Sequence, residues 1–141
     1  MSDIQHHIRI QAAPKAVFQA LSTIDGFTGW WTPTSGDCNP GGQVDFRFGE
    51  HVTSAQVETI VPGQRAEMKF TSTVPDWTGT RMTFDLEPNG GTTLVKFGHR
   101  GWKDQNGFFG HCSMQWAVYL LSLKDYVETG KGSPYPQRLE M

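Results

Sequence analysis

The residues of this sequence best suited to chemistry are its five histidines, His6, His7, His51, His99 and His111. Imidazole is the commonest metal ligand and a ready acid or base near neutral pH. None of the five falls in a ligand motif. His6 and His7 are neighbours on a predicted strand, so they point to opposite faces and cannot chelate one ion. His99 closes a predicted strand beside Arg100, where it could reach the mouth of a cavity or sit as an interface or loop histidine. His111 opens a predicted helix, where a neutral, solvent-facing ring is the ordinary state. Two cysteines, Cys38 and Cys112, are too few for a thiolate metal site. Cys112 lies in the first turn of the same helix, where the dipole favours thiolate. It also lies on that helix's apolar stripe, where burial opposes ionisation, so a small core residue is the simpler reading. No Gly-x-Ser-x-Gly elbow occurs, and no pair of carboxylates is spaced on one helix face. The sequence therefore predicts no catalytic residue, no metal site and no cofactor.

The aromatic residues offer a different chemistry. Trp30, Trp31, Phe46, Phe48, Phe70, Phe84, Trp102, Phe109, Trp116 and Tyr119, with Met68, Met82, His99 and Cys112, are candidates to line an apolar pocket. Small-molecule sites favour such a lining with a few polar groups. For any single ring, filling a solid core is the commoner role. Trp102, beside Gly101, is read as a loop residue that either lids a cavity or anchors the end of a sheet.

These residues need elements to hold them. Ile4, His6, Ile8 and Ile10 alternate with polar neighbours and predict a strand over 4–11. Pro14 suits a first helical position, and Val17, Phe18 and Leu21 share one side of a short helix. A second short helical piece over 24–31 is packed by Phe27, Trp30 and Trp31. The segment 32–42 carries Pro33, Gly36, Pro40 and the Gly41-Gly42 pair and reads as loop. Five strands follow: Val44, Phe46 and Phe48 alternate in one, 52–61 forms a second, and Ala66, Met68 and Phe70 mark a third. Met82, Phe84 and Leu86 mark the fourth, and 92–99 the fifth, after the Pro88-Asn89-Gly90-Gly91 turn. Large, soft Phe and Met side chains suit a concave surface with irregular contents.

A long helix over 109–129 ends at Gly130. At about 100° per residue, Phe109, Cys112, Trp116, Tyr119, Leu120, Leu123 and Val127 form one stripe. Met114, Val118 and Leu121 gather nearly opposite, where either a second copy of the chain or the domain's own short helices would cover them. Gly132, Pro134 and Pro136 keep the tail, 131–141, irregular and on the surface. The order predicts an α+β layout with helices against one face of an antiparallel sheet.

The chain has 141 residues, 37% of them hydrophobic and 18% charged, which fits one globular domain over 1–130 with the tail beyond it. A formal net charge of -2 and the absence of a Lys/Arg run exclude nucleic acid as an expected partner. No apolar stretch approaches bilayer length and the chain opens without a signal core, so no membrane insertion and a cytoplasmic location are expected. In that setting Cys38 and Cys112 are expected as thiols.

Particular residues then stand in a familiar order. They are Ala13-Pro14-Lys15-Ala16-Val17-Phe18 with Ala20-Leu21, Trp30-Trp31 before a Pro/Gly loop, and Gly41-Gly42 ahead of Phe46-x-Phe48. Gly91-Thr92-Thr93-Leu94 and Trp116-x3-Leu120-x2-Leu123-Lys124-x-Tyr126 follow. Over nearly the whole chain this resembles the SRPBCC (START/Bet v 1-like) superfamily, within it the AHSA1-like group named after the activator of Hsp90 ATPase. The resemblance implies a helix-grip fold: a curved antiparallel sheet of about six or seven strands, two short helices and one long C-terminal helix around a cavity. In relatives such cavities take apolar molecules. A shared fold does not carry a shared function, and the charged docking surface expected of a chaperone activator is not evident. Three functions stay open: a carrier, buffer or sensor for a small hydrophobic or amphipathic molecule, a polyketide cyclase-like enzyme using a polar group such as His99 or Arg81, and a protein-interaction module related to Hsp90 co-chaperones. The first is preferred, with an enzyme the less favoured reading.

Overall fold

Alternation decides the sheet. In the computed structural model, which describes residues 1–137, strand β1 spans Ser2–Ile10, α1 Pro14–Ser22, α2 Ile24–Trp30, β2 Thr34–Gly36 and β3 Gln43–Phe48. Strand β4 spans His51–Val61, β5 Arg65–Ser72, β6 Arg81–Asn89 and β7 Thr92–Trp102, before helix α3, Gly107–Thr129. The seven strands form one curved antiparallel sheet in the order β1-β7-β6-β5-β4-β3-β2. Ala66, Met68 and Phe70 of β5 and Met82, Phe84 and Leu86 of β6 turn inward and are buried. Charged pairs ride the outer face, including Arg65 with Asp85 at 2.5 Å and Arg81 with Glu58 at 2.8 Å. Such exposed pairs add little stability. The apolar inner face organises the fold.

The helices close that face. Pro14 starts α1, where its missing N–H costs nothing. Thr23 ends α1 and caps α2, its hydroxyl accepting from the Gly26 N–H at 3.0 Å. The Trp30 indole N–H donates to the Ala20 carbonyl at 2.8 Å and fixes the second short helix against the first. Asn106 caps α3 by accepting from the Phe109 N–H at 2.9 Å. Gly130, at φ 88°, stops it in a left-handed conformation that a side chain would strain. The helix lies across the inner face with Cys112, Trp116, Tyr119, Leu120, Ser122 and Leu123 buried. Phe109 and Val127, at the ends of the predicted stripe, are only half-buried.

Four local readings change. The 32–42 loop contains β2, whose Thr34, Ser35 and Gly36 pair with Phe46, Asp45 and Val44. Strand β7 runs three residues past His99, so Trp102 belongs to the sheet, opposite Ser2. The patch opposite the α3 stripe is not covered by the short helices: Met114 is 62% and Leu121 55% exposed, with Val118 half-buried. The tail does not simply lie on the surface, because Gly132 is buried and the Tyr135 N–H donates to the Trp31 carbonyl at 2.7 Å. A Cβ on Gly132 would meet the Gly29 carbonyl oxygen at 2.7 Å, so only glycine lets the tail dock there. Residues 138–141 of the predicted tail lie outside the described residues.

Candidate functional site

Two aromatic regions share the concave face. The first surrounds His99, which is wholly buried on β7. Its imidazole stands 4.7 Å from the Trp77 ring centre, 4.9 Å from Trp102, 5.3 Å from Phe70 and 5.9 Å from Trp116. The Trp116 indole N–H donates to His99 Nδ1 at 3.0 Å, which places the ring's proton on Nε2. That proton points to Thr80 Oγ1 at 2.7 Å, and the Thr80 hydroxyl donates to the Trp77 carbonyl at 2.5 Å. Burial pushes the His99 pKa down to about 3, so the ring is neutral. The indole nitrogens of Trp77 and Trp102 are buried without a partner among the described residues.

The second region is a hollow of about 300 Å³ beside it. Helix α3 supplies Phe108, Cys112, Gln115, Trp116 and Tyr119, which the helical repeat brings to one side. Trp31 enters from the end of α2, held by its N–H bond to the Phe27 carbonyl at 2.8 Å. Phe48 and His51 flank the β3–β4 turn, and Thr53 follows on β4. Thr73, Val74 and Trp77 come from the β5–β6 loop, which is folded back by the Trp77 N–H donating to the Val74 carbonyl at 3.0 Å. Tyr135 of the tail completes the wall, its ring 5.6 Å from Phe48. The Trp116 and Trp77 rings, stacked at 17° with centres 6.0 Å apart, stand between the hollow and His99.

The wall is apolar except along one strip. The side-chain oxygens of Thr53 and Thr73 are 2.9 Å apart, and Thr53 Oγ1 is 3.1 Å from His51 Nε2. Thr53 is buried while His51 is exposed, so the strip runs from rim to interior. Among the described residues no Lys, Arg, Asp or Glu lines the hollow.

Of the candidate lining residues, Trp31, Phe48, Cys112, Trp116 and Tyr119 meet at this hollow. Trp30, Phe46, Met68, Phe70, Met82, Phe84, His99 and Trp102 do not line it and fill the core, and half-buried Phe109 packs on Trp102 at 5.3 Å. The sequence reading omitted His51, Thr53, Thr73, Val74, Trp77, Phe108, Gln115 and Tyr135. Four of these, Thr73, Val74, Trp77 and Tyr135, sit in the β5–β6 loop and the tail, where no periodicity points inward. His51 and Thr53 are polar residues of β4, and Phe108 and Gln115 lie on α3. His6 faces α3 and pairs with the Ser113 carbonyl and hydroxyl oxygens at 3.0 and 3.2 Å, while His7 is exposed on the opposite face. His111 stacks on Phe108. Among the described residues no group of three His, Cys, Asp or Glu is placed to hold a metal ion. Cys38 and Cys112 are not bridged; half-burial, reinforced by Asp37, pushes the Cys38 pKa up to about 11.

An antiparallel sheet gripping one long helix around a hollow defines a helix-grip protein. The chain belongs to the family described as activator of Hsp90 ATPase homolog 1-like protein, whose model matches residues 11–128. It is similar to the Aha1 dimer of Colwellia psychrerythraea, known from a solution structure. The two are 38% identical, the match covers 94% of this chain and 100% of that one, and the TM-score is 0.85. Two more distant matches show the fold alone. CalU16 from Micromonospora echinospora is 18% identical over 95% of this chain and 70% of its own, with a TM-score of 0.79. MLL2253 from Mesorhizobium loti is 16% identical over 90% of this chain and 97% of its own, also at 0.79. The search of curated proteins gave no match.

Proposed function

We propose that the protein binds a small apolar or amphipathic molecule in the hollow under α3, as a carrier, buffer or sensor. One observation carries this reading: an aromatic-walled space of about 300 Å³ persists in a domain whose adjoining concave face is filled with side chains. That volume stands at the lower end of small-molecule sites, roughly 300–1,000 Å³. The wall supplies ring faces for stacking and one polar strip for orientation. Two measurements test it. Native mass spectrometry of freshly purified protein should show a co-purified mass. Titration with small aromatic compounds should shift the indole N–H resonances of Trp31, Trp77 and Trp116 while leaving Trp30, which does not line the hollow, unmoved. If no compound moves the three indoles ahead of Trp30, the reading fails.

The Colwellia relative is a dimer, and we propose the same state here, through the α3 face that carries Met114, Val118 and Leu121. Charge introduced by Leu121→Glu should shift the sedimentation coefficient from dimer to monomer. A wild-type chain that sediments as a monomer at every concentration would rule the dimer out. No helix among the described residues is long and apolar enough to cross a membrane. We place the protein in the cytoplasm, which would keep both cysteines as thiols.

A further inference from the structure

We infer that the hollow selects an uncharged molecule of one or two rings that presents a hydrogen-bond acceptor to Thr73. This rests on the binding reading above and narrows it to a ligand class. His51, Thr53 and Thr73 make a row joined by two hydrogen bonds, of 3.1 and 2.9 Å. A neutral imidazole contributes one N–H and each threonine one O–H, so three donors serve two bonds. In the arrangement that runs towards the hollow, His51 donates from Nε2 to Thr53 and Thr53 donates to Thr73. The surplus donor is then the Thr73 hydroxyl, at the hollow's wall. An acceptor on a bound molecule completes the row.

Charge and size narrow the class further. Among the described residues the lining has no Lys, Arg, Asp or Glu, and Gln115 and Tyr135 add neutral polar groups. An ion drawn into this wall would shed its hydration with no fixed counter-charge. A space of about 300 Å³, at the lower end of small-molecule sites, suits one or two rings better than a long acyl chain or a four-ring skeleton. The Trp31 and Trp116 rings, packed on each other with centres 4.8 Å apart and planes tilted by 42°, give the hollow an aromatic wall.

The test uses five probes on the whole chain, read by calorimetry and by the indole resonances: 2-acetylnaphthalene, 2-methylnaphthalene, 2-naphthoate, progesterone and palmitate. The acetyl compound should bind about tenfold more tightly than the methyl compound, the size of one good net hydrogen bond. Thr73→Val should bring the two within about twofold of each other, and Thr73→Ser, which keeps the hydroxyl, should restore the gap. Naphthoate, progesterone and palmitate should bind more weakly than the acetyl compound. If any of those three binds more tightly while moving the three indoles, the binding reading stands and the ligand class is wrong. An acetyl-to-methyl ratio that Thr73→Val leaves unchanged also overturns the class. If none of the five moves the indoles of a folded protein, both readings fall.

Discussion

The His99 cluster and the hollow are neighbours built from similar residues, yet their polar groups are wired differently. Around His99 the donors run in a closed line: Trp116 to His99, His99 to Thr80, Thr80 to the Trp77 carbonyl. Each of these three donors meets an acceptor, whereas the indole N–H groups of Trp77 and Trp102 beside the imidazole have none among the described residues. Along the hollow, His51, Thr53 and Thr73 hold one donor more than their two bonds use. A closed line fixes a shape, because buried polar groups are costly unless paired. An open line leaves a valence for something that arrives later. On the proposed binding reading, the difference separates the part of the concave face that stabilises the domain from the part that would recognise a molecule.

The largest test strikes the partition between them. Trp116→Ala should destabilise the protein by about 3–5 kcal/mol in urea unfolding, because it removes a buried indole and leaves His99 Nδ1 without its donor. A loss under about 1 kcal/mol would mean that this ring does not hold the two regions apart.

The second test uses acid. The folded His99 pKa, about 3, lies below its ordinary value of 6.5, so below pH 6.5 the unfolded chain takes up a proton that the folded chain refuses. His99 therefore costs no stability above pH 6.5. Stability falls as pH drops from 6.5 towards 3, with a slope approaching about 1.4 kcal/mol per pH unit. A His99→Gln variant should lack that share of the slope. Equal slopes for the two proteins between pH 6.5 and 4.5 would contradict a closed, neutral cluster.

The smallest effect belongs to the far side of the same helix. Leu121→Glu, at a position 55% exposed, should change the stability of the isolated chain by no more than about 0.5 kcal/mol, whatever it does to assembly. A larger loss would show that this face takes part in the core.

The sheet and α3 were readable because their burial is periodic. Ala66, Met68 and Phe70 alternate, and Cys112, Trp116, Tyr119 and Leu123 repeat with the helical turn. Strand β2 escaped because three residues inside a Pro/Gly segment carry no period; its pairing with β3 defines it. Trp102 reads as a loop residue because Gly101 precedes it, yet that glycine, at φ 91°, stays within the strand. The hollow was harder to read for a further reason. Alternation shows which side chains face inward, but not where an opposing wall stops short of them. That depends on the β5–β6 loop placing Trp77 against Trp116 and on the tail bringing Tyr135 to Phe48. Neither placement follows a repeat.

Ser122 joins three stretches of chain at one buried oxygen. Its hydroxyl donates to the Trp30 carbonyl at 2.8 Å and accepts the Ser133 N–H at 2.7 Å. Trp31, the residue after Trp30, and Tyr135, two residues after Ser133, stand in the wall of the hollow. A hydroxyl outside the lining thus ties together the chain segments that carry two of its walls. A change at position 122 would therefore act on two walls of the hollow at once without altering any residue that lines it.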